Sequence, residues 1–156
     1  MKLNQKGFIT IIIVLIFLVI LVSAVYLASQ AFQTKPPIQI HRFEANPSEF
    51  KSSQIGALYF KVESFVEDDF ITIAMHLETH KNVEIYLGDN LLPLEGGNYT
   101  YTKVLSPKEI SSLMFRLEAT VDIGDNRRDY RVKAYIYLNG NLFTIKIAPF
   151  SVCADD

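Results

Sequence analysis

Tyr130-Arg131-Val132-Lys133-Ala134-Tyr135-Ile136-Tyr137-Leu138-Asn139-Gly140 decides the fold class of this chain. Tyr130, Val132, Ala134, Ile136 and Leu138 alternate with Arg131, Lys133, Tyr135 and Tyr137. In extended backbone such alternation sends one set to a buried face and the other to a wet face; a helix would scatter both. Asn139-Gly140 then reads as a type I′ hairpin turn, because both of its central residues need positive φ. The same period recurs where Leu113, Phe115, Leu117, Ala119 and Val121 alternate with Met114, Arg116, Glu118 and Thr120. It recurs again in Ile71–Glu78 and in the shorter runs Leu58/Phe60/Val62, Val83/Ile85/Leu87 and Phe143/Ile145/Ile147. One buried and one solvated face per strand is the pattern of antiparallel sheets.

Working outward, Gly88-Asp89-Asn90, Glu95-Gly96-Gly97-Asn98 and Gly124-Asp125-Asn126 supply further turns. The predicted strands are Ile38–Phe43, Gly56–Phe65, Phe70–Glu78, Val83–Leu87, Tyr99–Leu105, Leu113–Asp122, Tyr130–Leu138 and Leu142–Ala148. Ser106-Pro107-Lys108-Glu109-Ile110 is expected to form one helical turn, with Ser106 as cap and Pro107 at the first helical position. About eight strands in two packed antiparallel sheets make an immunoglobulin-like β-sandwich over 38–156, so the fold class is mainly β. The Cys…Trp…Cys pattern of antibody domains is absent, since the chain has no Trp and one Cys.

The 156 residues suffice for one domain with a proper core. Hydrophobicity is concentrated at the start: between Phe8 and Ala28 there is no charge, and the polar side chains are Thr10, Ser23 and Tyr26. A helix of about 20 such residues, rising ~1.5 Å per residue, matches a bilayer core of ~30 Å. The expectation is therefore a basic leader and transmembrane or assembly helix over 1–33, a Pro-containing linker at 34–37, and the sandwich beyond. Lys2 and Lys6 precede the run and no acidic residue occurs before Glu44, which keeps the N-terminus cytoplasmic and places the C-terminal domain extracytoplasmic. The part after the run carries 13 of the 15 Lys and Arg against all 17 Asp and Glu, a net −4. A mildly acidic body without a basic cluster argues against nucleic acid as a partner. With Cys153 the one cysteine, no internal disulfide is possible and stability rests on packing; the thiol is read as partly buried or in the tail, the alternative being an intermolecular disulfide.

Candidates for chemistry are few. His76, Glu78 and His80 recur at every second residue, so on one strand they would share a face, and two imidazoles with a carboxylate can hold zinc; the alternative is a solvated strand face. Asp122, Asp125 and Asp129 offer calcium oxygens, but Arg127 and Arg128 oppose a cation and the spacing is not that of an EF-hand. Asn98-Tyr99-Thr100 fits the N-glycosylation pattern in an exported turn. Tyr59, Tyr86, Tyr135 and Tyr137 are expected to be exposed and could form an interaction patch. No Gly-x-Ser-x-Gly, phosphate-binding glycine loop or paired-Cys motif occurs, so the reading is non-enzymatic and without a cofactor.

Gln5-Lys6-Gly7 followed by Phe8 resembles the short basic leader of type IV pilins, which ends in Lys/Arg-Gly and is cut before an apolar residue. The resemblance implies that Lys6, Gly7 and Phe8 are the processing site, with Phe8 the mature N-terminus. It implies that the apolar helix waits in the membrane before entering a filament. Ile12 stands where most bacterial pilins have glutamate, and Pro36-Pro37 ends the helix early. Archaeal pilin-like and archaellum-associated proteins, in which an apolar helix leads into an immunoglobulin-like domain, resemble the chain in both respects. The body likewise resembles immunoglobulin-like modules of prokaryotic surfaces. Alternatives are a permanent single-pass signal anchor, and a secretion signal cut after Ala24 or Ala31, where Val22-Ser23-Ala24 and Ser29-Gln30-Ala31 place small residues. The functions expected are a pilin-like structural subunit or minor pilin that self-assembles through its helix, or a tethered module that binds a surface partner.

Overall fold

A computed structural model describes residues 5–31 and 35–155, with side chains for 12–26 and 35–155. The chain divides into two compact units, Met1–Pro36 and Pro37–Asp156.

In the first unit, helix α1 runs Gln5–Ala31. The stretch from Ile12 to Tyr26 is exposed and apolar on every side apart from the Tyr26 hydroxyl and Ser23, whose hydroxyl donates to the Val19 carbonyl at 2.8 Å. That bond to the preceding turn satisfies the hydroxyl within the helix. The described side chains span about 22 Å of helix at 1.5 Å per residue, short of the ~30 Å of a bilayer core. Among the described residues no helix is long and apolar enough to cross a membrane, so the expected spanning helix receives no support from them. Lys6, Gly7 and Phe8 lie on the backbone of α1, and their side chains are outside the described residues.

The second unit is mainly β, as its alternation predicts. β1 (Ile38–Asn46), β3 (Gly56–Ser64), β5 (Val83–Leu87), β6 (Asn90–Leu91) and β9 (Ile110–Ala119) form one sheet in the order β1-β3-β9-β5-β6. β2 (Glu49–Lys51), β4 (Ile71–Glu78), β7 (Leu94–Glu95), β8 (Asn98–Leu105), β10 (Arg127–Leu138) and β11 (Asn141–Cys153) form the other, in the order β2-β11-β10-β4-β8-β7. Leu58, Phe60, Phe115 and Leu117 of the first sheet and Met75, Leu77, Val132 and Ile136 of the second belong to one buried cluster, an arrangement consistent with a β-sandwich. Asn139 and Gly140 turn the β10–β11 hairpin with φ of 47° and 85°, as the sequence predicts. The Asn139 side chain also accepts the Thr72 N–H at 3.0 Å, and its own N–H donates to the Thr72 carbonyl at 2.9 Å, which fastens the hairpin to β4.

Four expectations are corrected. The sheets are not wholly antiparallel, because β2 pairs parallel with the end of β11. Ser106–Glu109 is a tight turn rather than a helical one: Lys108 has φ 57°, and Ile110 already begins β9. Pro107 sets the turn, and the Glu109 carboxylate accepts the Ser106 N–H at 2.8 Å, the half of a capping box that needs no helix behind it. β9 ends at Ala119 instead of Asp122, and β11 runs on past Ala148 to Cys153. Finally, Phe143, Ile145 and Ile147 do not face the core; they are 37%, 43% and 52% exposed.

Candidate functional site

β10 is longer than the strand beside it. β4 stops at Glu78, opposite Lys133, while β10 continues back to Arg127. The chain leaves the sheet at Thr79 and His80, and beyond the end of β4 a cleft of about 460 Å³ opens, lined by Glu78, Thr79, His80, Arg128, Asp129, Tyr130, Arg131, Lys133 and Pro149. The outward positions of β10 (Asp129, Arg131 and Lys133) alternate with buried Tyr130 and Val132, so the pattern that builds the core also aims these side chains at the cleft side of the sheet.

The walls are held by specific bonds. Thr79 Oγ1 donates to the Arg131 carbonyl at 3.1 Å, replacing the ladder partner that β4 no longer supplies. His80 Nδ1 accepts the Asn82 N–H at 3.2 Å, which leaves the proton of the neutral ring on Nε2. The His80 ring lies 5.4 Å from the Tyr130 ring, and the Tyr130 hydroxyl donates to the Thr120 carbonyl at 2.5 Å. The Arg128 guanidinium sits 5.8 Å over Tyr130 and pairs with Asp122 and Asp125. Glu78 accepts the Tyr135 hydroxyl at 2.8 Å and lies 3.8 Å from Lys133. Asp129 accepts from Ser151 Oγ at 2.6 Å and pairs with Arg127; the Ser151 bond, with Arg127 behind it, holds its carboxyl below the usual range. The hydrogen bond to Tyr135 holds the Lys133 ammonium above its ordinary pKa, with Glu78 adding to the shift and Arg131 opposing it. Arg131 is exposed, and among the described residues its guanidinium has no carboxylate or hydrogen-bond partner.

The zinc triad expected from sequence does not assemble. His76 stays on the outer face of β4, 5.0 Å from the Tyr137 ring; Glu78 is taken by Tyr135 and Lys133; His80 lies beyond the strand, so the two-residue period no longer applies to it. Among the described residues no group of three His, Cys, Asp or Glu is placed to hold a metal ion. Asp122, Asp125 and Asp129 are likewise occupied by arginines.

The four tyrosines do not make one patch. Tyr59 and Tyr86 stand on the first sheet, under Arg42 at 4.3 Å and Arg116 at 4.4 Å. Tyr135 and Tyr137 stand on the second, with Lys133 4.5 Å over Tyr135. The Tyr86 hydroxyl donates to Glu84 at 2.6 Å, and that bond above all pushes its pKa up to about 12. Asn98 opens β8 directly after the Gly96-Gly97 turn and is half-buried. Cys153 is a free, half-buried thiol at the end of β11. Sequence reasoning missed the cleft, although its signal was present: Arg131 and Lys133 two residues apart on one face, where the neighbouring strand's alternation ends at Glu78.

The sequence matches no protein-family model and no curated protein. Among solved structures, the chain is similar to a Pseudomonas fluorescens alkylpurine DNA glycosylase, AlkC, bound to DNA containing an abasic site analogue. Identity is 13% with a TM-score of 0.42, over 76% of this chain and 31% of that one, so the chain spans about a third of AlkC's length. It is also similar to a CARDB domain from Pyrococcus furiosus in complex with di-metal ions, at 18% identity and a TM-score of 0.38, over 76% of this chain and 93% of that one. At these values neither likeness bears on what the chain does.

Proposed function

We propose that the protein is a non-enzymatic component of the cell surface or envelope, a pilin-like structural subunit or minor pilin whose helix holds it in the membrane or in a filament. The observation that carries this reading is the continuity of α1: one helix, Gln5–Ala31, that has no charged residue after Lys6 and no polar face where its side chains are described. The described stretch alone is short for a bilayer, and the reading adds the equally uncharged residues that flank it in the same helix. Pro36-Pro37 separates this unit from the β unit. The second unit is read as immunoglobulin-like. Two features support this: β3 pairs with β9 while β4 pairs with β10, and the Tyr130 hydroxyl bonds back across a corner to Thr120, a tyrosine corner at the start of a strand.

The test is the mature N-terminus of the native protein, by intact mass and N-terminal peptide sequencing. A chain starting at Phe8 supports prepilin-type processing and directs the search to filaments. A start at Met1 overturns it in favour of a permanent anchor, and a start at Val25 or Phe32 makes the domain a released one. Under either membrane reading, Ile12→Asp abolishes membrane retention.

A second reading, a tethered module that docks a protein through a sheet face or edge, is favoured by the outward row Phe143, Ile145 and Ile147. Over these residues β11 is hydrogen-bonded to β10, and among the described residues no strand is hydrogen-bonded to its other edge, since β2 reaches only Ser151–Cys153, although β1 comes alongside where Ile38 and Ile40 meet Phe143, Thr144 and Lys146. Outward apolar side chains beside backbone groups without a ladder partner are what a docking strand uses, the backbone for affinity and the side chains for specificity. Ile145→Lys then abolishes partner capture while leaving membrane retention intact; capture that survives the change removes this reading.

A further inference from the structure

We propose that the cleft beyond the end of β4 binds an oxyanion, the carboxylate or phosphate group of a small acidic ligand, with Arg131 as its principal donor. Both acidic side chains in the cleft are already engaged, Glu78 by Tyr135 and Lys133, Asp129 by Ser151 and Arg127. The donors are not. Arg131 offers a whole guanidinium, its neighbour Lys133 has N–H groups beyond the one aimed at Glu78, and the neutral His80 ring keeps its proton on Nε2. A surplus of N–H donors in a concave site is satisfied by an acceptor-only group, and a guanidinium receives a carboxylate or phosphate through two parallel bonds.

Charge points the same way. Arg131 and Lys133 are two residues apart on one face, close enough that Arg131 opposes protonation of Lys133. Glu78 compensates Lys133, whereas Arg131 has no carboxylate among the described residues. This local surplus stands on a β unit whose net charge is −5, so general attraction of anions to the domain does not account for it. A cleft of about 460 Å³ fits a ligand the size of a sugar acid or a phosphorylated small molecule. Pro149 and Tyr130 add apolar lining beside the charged groups. A metal ion in the same place would meet Arg128, Arg131 and Lys133, which excludes the cation that His80 and Glu78 suggest from sequence.

The test uses the full chain in zwitterionic detergent micelles at constant ionic strength, titrated separately with sodium phosphate and sodium glucuronate. NMR follows the His80 ring and the backbone of residues 128–133. Saturable shifts confined to these residues are expected, with the apparent Kd raised at least about fivefold by Arg131→Ala, the loss of a charge-assisted pair. Arg131 is exposed and its backbone ladder is untouched by the change, so the fold persists; Lys61→Ala, on the exposed face of β3, leaves the titration unchanged. Saturation by phosphate alone assigns a phosphate ligand, by glucuronate alone a sugar acid, and by both the shared oxyanion chemistry. Shifts that rise linearly without saturating, or that are the same in Arg131→Ala, overturn the proposal.

Discussion

β10 and β11 face each other across one hairpin, and both alternate apolar with polar residues, yet they use the alternation in opposite ways. β10 buries Val132, Ala134 and Ile136 and presents Arg131, Lys133 and Tyr135 outward. The first half of β11 presents Phe143, Ile145 and Ile147 outward and turns half-buried Thr144 and Lys146 inward. Register is the cause. Residues directly opposite in a sheet share a face. Ile145 is opposite Tyr135 and Ile147 opposite Lys133, so both inherit the outer face; Lys146 is opposite buried Ala134. The register shift between Ile136 and Tyr137 does not restore them to the core. Past Ile147 the apolar residues change parity, and Ala148, Phe150 and Val152 fill the core opposite Val132, Tyr130 and Arg128. The lesson is that a period of two divides a strand into two faces, and only its neighbour decides which one is inside.

The largest expected effect breaks the comparison within β11 itself. Phe150 is 3% exposed, stacked on Phe50 at 5.6 Å and tilted against Tyr130 at 5.8 Å, so Phe150→Ala costs about 3–5 kcal/mol in denaturant unfolding of the β unit. Phe143→Ala, seven residues earlier on the opposite face, costs under ~1 kcal/mol. Equal costs would mean the register is wrong.

Gly56→Ala probes the same inner layer from the other sheet. A Cβ at Gly56 would stand 2.5 Å from Phe50 Cε1, and Phe50 is itself backed by Phe150, so about 1–3 kcal/mol is expected for the shift it forces. Unchanged stability would show that Phe50 is loosely held.

Tyr130→Phe sharpens the β10 side of the comparison. It keeps the ring packing and removes the hydroxyl bond to Thr120, a loss of about 0.5–1.5 kcal/mol by the same unfolding measurement.

The smallest effect is a pH dependence. The Ser106 N–H bond, assisted by Lys103, lowers the Glu109 pKa below its ordinary 4.5. A depressed carboxylate contributes stability that is complete above the unfolded value and lost as pH falls through the folded one. Wild-type stability therefore declines on acidification below about 4.5, and Glu109→Gln flattens that part of the profile. An unchanged profile would mean the turn does not depend on the carboxylate.

Much of the fold was legible because its causes are local. Val83–Leu87 is a strand with the bounds its sequence suggests, and Asn139-Gly140 and Gly96-Gly97 turn where positive φ is needed. The misreadings have non-local causes. β2, β6 and β7 are too short to show a period and exist because a longer strand lies beside them. Pro107 and Ser106 resemble a helix start, but Ile110 is drawn into β9 by its pairing with Glu63 of β3. His76, Glu78 and His80 share a face only while the strand continues, and it stops at Glu78.

The sequence by itself determined that an uncharged apolar segment precedes a β-rich body, that the body's strands are two-faced, and that its tight turns fall at glycine and asparagine. These follow from side-chain hydrophobicity and backbone sterics within a few residues. Only the tertiary structure decided that β11 wears its isoleucines outside, and that Glu78 and Lys133, far apart in the chain, meet at the rim of a cleft whose Arg131 has no acid to match among the described residues. Face and partner are settled by which strand lies alongside and where it ends, and no local pattern encodes either.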